Sequence, residues 1–167
     1  MSQITCWRIT RAVRQHVAMD GVGAAYNGGR WNPIGVKMVY CAQSLALAVL
    51  EIRVHLAMAG PKERFVGLEV AIVESAVECS QVSDLPRSWQ RAPQASTSDT
   101  AARRFGARWI REQRSVALQV PSAVIPSESI FLLNPEHPDL NKSVRLVRTL
   151  PVTLDPRLWD PASSGTT

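Results

Sequence analysis

Hydrophobic and polar residues alternate along several short stretches of the chain, as they do in strands that bury one face. Six stretches have this character: residues 4–9, 36–42, 65–73, 116–120, 130–133 and 144–148. Prolines limit two of them, because Pro121 follows the fourth stretch and Pro135 lies just beyond the fifth. The pattern therefore predicts several short strands separated by turns and helices.

A helical pattern covers residues 45–59, with Ser44 as the N-cap and Gly60-Pro61 beyond its end. Apolar side chains occupy both sides of this helix. One face carries Leu45, Val49, Ile52 and Leu56, and the opposite face carries Leu47, Leu50, Val54 and Met58. A helix that is apolar all round is normally buried, so we expect this one to lie inside the domain.

Residues 99–114 form the second predicted helix, although Gly106 makes it about 1 kcal/mol less favourable than alanine would. This helix holds the densest basic cluster of the chain: Arg103, Arg104, Arg108, Arg111 and Arg114. We interpret most of the cluster as a solvated helix face. Nucleic-acid binding is the least favoured function, because the basic residues form no single block with interleaved aromatics.

The order of these elements indicates a single α+β domain with mixed, mainly antiparallel sheets. Strands come in pairs and runs with two main helices between them, unlike the regular strand–helix alternation of doubly wound folds. A chain of 167 residues can bury a core without disulfides or metals. We place the domain at residues 1–160 and a flexible tail at 161–167, and we interpret residues 91–99 as a surface loop.

Composition narrows the class of protein. No stretch approaches the roughly 20 apolar residues of a membrane span, and the first residues lack the basic and apolar regions of a signal peptide. We therefore expect a cytoplasmic protein. Cys6, Cys41 and Cys79 have no CxxC spacing, which argues against a disulfide framework or a zinc site. The net charge of +5 suits an anionic ligand or an acidic partner.

The most informative charged residue is Glu51, which lies on the apolar helix with Arg53 and His55. An ionised carboxylate rarely occupies such a helix unless it is paired or faces a cavity. Because Glu51 and His55 are four residues apart on one stripe, a structural ion pair is one interpretation, and a glutamate that reaches solvent at the helix edge is a second. The third is a catalytic carboxylate in a cleft.

Arg30 lies within Gly28-Gly29-Arg30-Trp31-Asn32, in a segment unusually rich in glycine. A glycine pair before an arginine suits close approach to an anion, with the guanidinium contacting phosphate. An ordinary turn anchored by Trp31 is the alternative. Tyr40 could cap the core or stack on a flat aromatic ligand. Ser122 follows a strand with no Ser-His-Asp arrangement, so it is better suited to a hydrogen bond with a ligand or to a turn cap.

These pieces, in this order, resemble the RES domain family, which is named for an Arg, a Glu and a Ser. Arg30, Glu51 and Ser122 match those three residues. The resemblance extends over residues 5–159 and includes Trp7-Arg8-Ile9, the segment around Arg30, Val39-Tyr40, residues 44–51, Leu85-Pro86, Trp89, Trp109, residues 120–124, residues 133–138 and residues 155–158. Pro33 and Ala24-Ala25-Tyr26 depart from the family pattern, which suggests an altered substrate or acceptor preference.

The resemblance implies a fold similar to ADP-ribosyltransferases, with a cleft for NAD and no metal. It also implies a toxin of a type II toxin–antitoxin pair that depletes NAD by cleaving the nicotinamide–ribose bond. Water or phosphate would be the acceptor. The implied partner is an Xre-like antitoxin that covers the active site and makes the DNA contacts itself.

The same resemblance assigns residue roles. Glu51 would stabilise positive charge on the ribose, Arg30 and Arg8 would bind the pyrophosphate, and Tyr40 would stack on nicotinamide. Ser122 would hydrogen-bond the ligand, and Asn134 would shape the cleft. Two alternatives stay open: a protein ADP-ribosyltransferase that uses NAD, and a non-catalytic binding module in which Arg30 and Glu51 form a structural pair.

Overall fold

The computed structural model describes residues 1–56 and 64–158 and contains a seven-stranded sheet. Its strands are β1 (Gln3–Arg11), β2 (Val39–Ala42), β3 (Phe65–Val73), β4 (Val77–Cys79), β5 (Ala117–Pro121), β6 (Ser129–Leu133) and β7 (Val144–Val152). The order across the sheet is β4-β5-β6-β2-β1-β3-β7. Only β4 and β5 pair in parallel, so the mainly antiparallel α+β architecture is confirmed.

Four α-helices accompany this sheet in the described ranges: α1 (Val22–Asn27), α2 (Leu45–His55), α3 (Ala101–Glu112) and α4 (Leu140–Ser143). Ser44 caps α2 as predicted, because its side chain accepts a hydrogen bond from the Leu47 amide. Thr100 caps α3 in the same way. α2 ends four residues earlier than predicted, since Leu56 is extended. Residues 57–63 and the predicted tail at 161–167 lie outside the described residues.

All six predicted strands form, and five of them begin or end at a different residue from the predicted one. β3 has the predicted bounds, and β1 and β7 run longer. β2 begins at Val39 instead of residue 36, because the Val36 carbonyl accepts a hydrogen bond from the Asn32 side chain and not from a neighbouring strand. β4 was missed in the sequence, since a three-residue strand at the sheet edge leaves too little alternation to recognise.

Two apolar clusters flank the sheet, because successive strand residues point to opposite faces. One cluster contains Trp31, Leu47, Trp109 and Leu132 and packs beneath α2 and α3. The other contains Cys6, Cys41, Val70 and Phe131. Cys41 is therefore the small core residue that the sequence indicated, and all three cysteines are free.

α2 is buried on one face only. Leu47 and Ala48 are buried, whereas Leu50 and Val54 are exposed. The predicted burial is therefore wrong for Leu50 and Val54, although Leu47 of the same predicted face is buried. The helix lies on the surface of the sheet, so only one side contacts the core, and apolar residues on the other side line the domain surface. No helix within the described ranges is long and apolar enough to cross a membrane.

Candidate active site

A cavity of about 510 Å³ opens between β1, β2, α1, α2 and the segment that follows β5. Its volume lies within the range of small-molecule sites. Arg8, Arg30, Tyr40 and Glu51 all line it. These four residues come from distant parts of the sequence, and the fold brings them to one cavity.

Glu51 and Ser122 are joined by a hydrogen bond of 2.7 Å from the Ser122 hydroxyl to Oε1 of Glu51. The same hydroxyl accepts hydrogen bonds from the amides of Val124 and Ile125, each at 3.0 Å. A serine hydroxyl has one proton, and here Glu51 accepts it. Ser122 is fully buried behind Glu51, so its predicted contact with a ligand stays a prediction, and its observed contact is with the carboxylate.

Glu51 has no ion-pair partner among the described residues. The interpretations that pair it with His55 or with Arg30 are therefore wrong at the level of direct contact. His55 also lines the cavity, one helical turn from Glu51. The carboxylate is half-buried, faces the cavity and is oriented by a neutral hydroxyl.

The guanidinium of Arg30 is fixed by carbonyl groups of a segment about 60 residues further along the chain. Its Nη1 donates to the carbonyl oxygens of Trp89 and Arg91, at 3.0 Å and 2.8 Å. Partial burial lowers the pKa of Arg30, and the nearby Glu51 and Tyr40 oppose that shift. The side chain lines the cavity with a fixed orientation, which is the geometry that an anion-binding arginine requires.

Tyr40 uses its hydroxyl to hold the loop that carries Arg30. The hydroxyl donates to Oδ1 of Asn32 at 2.7 Å and accepts from the Trp31 amide at 3.1 Å. Burial raises the pKa of Tyr40, so the phenol stays neutral. A Cβ atom at Gly29 would lie 2.5 Å from this hydroxyl, which explains why glycine precedes Arg30. The ring lines the cavity, and its stacking on nicotinamide stays a prediction.

Arg8 carries an unsatisfied donor next to the cavity. Nη1 donates to the Tyr40 carbonyl at 2.9 Å, while the buried Nε has no hydrogen-bond partner in the described part of the chain. Burial lowers the pKa of Arg8. An unpaired buried donor is costly, which makes Arg8 a candidate for contact with an anionic ligand in the cavity.

Two buried polar residues near the cavity, Asn32 and Arg103, are not recognised as such from the sequence. Asn32 is fully buried, and its amide donates to the carbonyls of Ala24, Pro33 and Val36. Arg103 was interpreted as part of a solvated face, and this is wrong: it is 3% exposed. The available signal was the spacing of Arg103, Gly106 and Trp109 at three-residue intervals, which places them on one side of the helix, and all three are buried.

Asn134 lies away from the cavity, at the end of β6. Its side chain donates to the Ile110 carbonyl and accepts from the Glu136 amide. It links β6 to α3 and does not line the cleft, so its predicted role in shaping that cleft is not supported. The exposed arginines of α3 include Arg104, which pairs with Asp99. The described residues contain no cluster of acidic, histidine or cysteine side chains that would hold a metal ion.

The matching family model defines the class of protein. Residues 5–155 match the RES domain. Fold, cavity and the Arg30–Glu51–Ser122 set occur together within that range, and the chain belongs to the RES domain family.

Particular relatives lie close in sequence. A "Prs ADP-ribosylating toxin" of Sphingobium sp. (strain YBL2) is 37% identical over 158 residues, covering 91% of this chain and 94% of the relative. A "Toxin Res" of Photorhabdus laumondii is 35% identical over 152 residues, covering 91% of this chain and 95% of the relative. A chain in the crystal structure of the M. tuberculosis MbcT-MbcA toxin-antitoxin complex superposes with a TM-score of 0.70 at 19% identity, covering 95% of this chain and 87% of that one, which shows a shared fold.

Proposed function

We propose that this chain is the toxin of a toxin–antitoxin pair and that it consumes NAD by breaking the bond between nicotinamide and ribose. Membership of the RES family and the names of its sequence relatives support the toxin assignment. The observation that carries the chemistry is Glu51. Its carboxylate lies on the cavity wall, forms no ion pair with residues 1–56 or 64–158, is oriented by the Ser122 hydroxyl and faces a site that also presents Arg8 and Arg30.

Glu51 is suited to stabilise the transition state of this cleavage. When the C1′–N bond breaks, its electron pair leaves with nicotinamide and positive charge develops on the ribose, as in glycoside cleavage. A fixed carboxylate beside C1′ stabilises that charge without reorganising during the reaction. Such a contact contributes about 3 kcal/mol, on the order of 100-fold in rate. The Ser122 hydroxyl keeps one carboxylate oxygen in place, and the other is left for the substrate.

Arg8, Arg30 and the ring of Tyr40 are the groups that would bind NAD. Arg8 and Arg30 would bind the pyrophosphate, since both line the cavity and Nε of Arg8 lacks a partner in residues 1–56 and 64–158. The Tyr40 ring would hold the nicotinamide face, while its hydroxyl stays committed to Asn32 and Trp31.

The acceptor completes the reaction. Water or phosphate would form a bond to C1′ through oxygen, with loss of a proton when water attacks. A protein side chain is the second candidate acceptor, and the name of the Sphingobium relative favours testing it. Each acceptor gives a different product from the same cleavage step.

An Xre-like antitoxin that covers the cavity is the proposed partner, and the cytoplasm is the proposed compartment. The M. tuberculosis chain with a similar fold comes from the crystal structure of a toxin–antitoxin complex. The two most exposed apolar residues on the helices that line the cavity are Tyr26 of α1, which is 81% exposed, and Val54 of α2, which is 64% exposed. A partner that closes the cavity would bury both, which would offset the cost of exposing them.

The test of this function is release of nicotinamide from NAD by the purified chain, with and without phosphate. We expect release from the wild type and a loss of about 100-fold or more in Glu51→Gln. Glu74→Gln is the matched control, because Glu74 is exposed and remote from the cavity, and it should keep the wild-type rate. Folded wild type that releases no nicotinamide under either condition, and labels no protein in a lysate with labelled NAD, would contradict the proposal.

A further inference from the structure

Arg103 is a buried cation whose hydrogen bonds lead to the loop of Arg30. We infer that Arg103 is a positioning residue that fixes this loop so that Arg30 can bind the anionic part of the substrate. The inference rests on the proposed function, because it assigns the role through Arg30. Arg103 does not line the cavity itself.

The contacts of Arg103 join two loops that are distant in sequence. Nε donates to the Gly29 carbonyl at 2.8 Å. Nη1 donates to the carbonyls of Ser96 and Ser98, each at 2.7 Å, and to that of Ala95 at 3.2 Å. One planar guanidinium thus holds the residue directly before Arg30 against the segment at residues 95–98.

Besides the contacts of Tyr40 with Trp31 and Asn32, two sets of hydrogen bonds hold the Arg30 loop at the backbone and at the side chain. Arg103 holds the backbone at Gly29, and the carbonyls of Trp89 and Arg91 hold the Arg30 guanidinium. The Gly29 amide also donates to the Asn32 carbonyl at 2.9 Å, which closes the turn between them. Loss of the Arg103 contact would release the Gly29 carbonyl, and the loop would keep only its contacts on the other side of Arg30, at Trp31 and Asn32, and those of the Arg30 guanidinium.

The fork shape of Arg103 matters more than its charge. Within residues 1–56 and 64–158 no carboxylate pairs with it, and every hydrogen bond of its side chain goes to a carbonyl oxygen. Lysine would keep the charge but has a single nitrogen, which cannot reach Gly29 and residues 95–98 together. The guanidinium also packs against Gly28, where a Cβ atom would lie 3.0 Å from Nη2.

The experiment compares Arg103→Lys with Arg104→Lys, the exposed arginine next to it on the same helix. We measure KM and kcat for NAD, and the affinity for ADP-ribose by calorimetry. Arg103→Lys should raise KM about 10- to 100-fold and weaken ADP-ribose binding to a similar degree, with a smaller change in kcat. Arg104→Lys should change neither. A residue needed only for folding would lower the active fraction, and hence kcat, while KM stayed constant.

A double-mutant cycle with Arg30→Ala decides whether Arg103 acts through Arg30. If it does, Arg103→Lys adds little to the KM of the Arg30→Ala protein. If the KM effects of the two substitutions multiply in the double mutant, the inference is overturned and the proposed function stays intact. A wild-type protein that does not turn over NAD would instead contradict the proposed function. Arg103→Gln, which can still donate to Gly29, provides a second variant. If neither variant folds by circular dichroism, Arg103 is a structural residue and the inference is wrong.

Discussion

At the scale of single residues, the site is organised by neutral groups that orient charged ones. Ser122 orients Glu51, and Tyr40 with Asn32 holds the loop of Arg30. Both hydroxyls have fixed donor and acceptor partners, so neither is free to act on a substrate proton. Ser122 and Tyr40 are therefore best understood as residues that position the charged groups, with the Tyr40 ring as the part that reaches the ligand.

Ser122→Ala tests this reading of the site. Removal of the hydroxyl leaves the amides of Val124 and Ile125 without their acceptor and Glu51 without its donor. We expect unfolding in urea to become easier by about 1–3 kcal/mol. The kcat for nicotinamide release should fall about 10- to 100-fold with little change in KM, because the contact orients the group that stabilises the transition state.

Ser129→Ala is the control for that variant. The Ser129 hydroxyl accepts a hydrogen bond from Gln119 at 2.8 Å, at the start of β6 and not in the cavity lining. Ser129→Ala should lower the free energy of unfolding as much as Ser122→Ala does, or less, and should leave kcat unchanged. Equal losses of kcat in the two variants would show that stability, and not the orientation of Glu51, accounts for the effect.

At the scale of elements, α3 is the platform on which the Arg30 loop rests. Trp31 stacks on Trp89 with ring centroids 6.1 Å apart and contacts Phe105 of α3 at 5.8 Å. Gly106 of the same helix lies directly under the Trp31 backbone. The helix thus supports the loop through close backbone packing at Gly106 and through the hydrogen bonds of Arg103.

Gly106→Ala separates helix propensity from this packing. Helix propensity alone predicts that the free energy of unfolding rises by about 1 kcal/mol, since alanine is the better helix former. The structure predicts the opposite, because a Cβ at Gly106 would lie 1.9 Å from the Trp31 carbonyl oxygen. We expect a loss of about 3 kcal/mol or more in the free energy of unfolding.

Gly23→Ala is the matched control, as an added Cβ in α1 would have no atom within 4 Å. Its stability should stay unchanged or rise by up to about 1 kcal/mol. Denaturant unfolding of both variants checks the pair. A stabilised Gly106→Ala protein would show that α3 and the Trp31 loop are not packed as described.

At the scale of the whole molecule, the site is built from segments that are spread over residues 7–130 of the chain. Arg8 comes from the first strand, Glu51 from α2 and Ser122 from the end of β5. Ligand binding at such a site stabilises the folded state as a whole, because the site exists only when these elements are assembled.

ADP-ribose should therefore raise the thermal midpoint of the chain. At 100 times its Kd, a ligand that binds only the folded state adds about 2.7 kcal/mol, which corresponds to roughly 5–10 °C for a domain of this size. Scanning calorimetry or dye-based melting measures the shift. Arg8→Met removes the cation with the unpaired Nε, so its shift should be much smaller. A full shift in that variant would remove Arg8 from the anion-binding site.

The sequence by itself determined the class of fold and the core positions of the strands, and it singled out Glu51 as a candidate for the site. Alternation is a local property and survives into the sheet, as β3 shows with its predicted bounds. Glu51 stood out because a carboxylate on an apolar helix needs a reason. The glycine pair before Arg30 was also recognisable in the sequence, because a position where another group comes close to the backbone favours glycine.

Only the tertiary structure decided what each polar residue contacts. Arg103 and Arg104 are neighbours in one helix and look alike in the sequence, yet one is buried against Gly29 and the other pairs with Asp99 at the surface. Ser122 caps the turn at Val124 and Ile125, one of the two roles that its place after a strand indicates, but its contact with Glu51, 71 residues away in the chain, appears only in the fold. Such contacts depend on the packing of distant segments and on hydrogen-bond geometry, which local residue patterns do not encode.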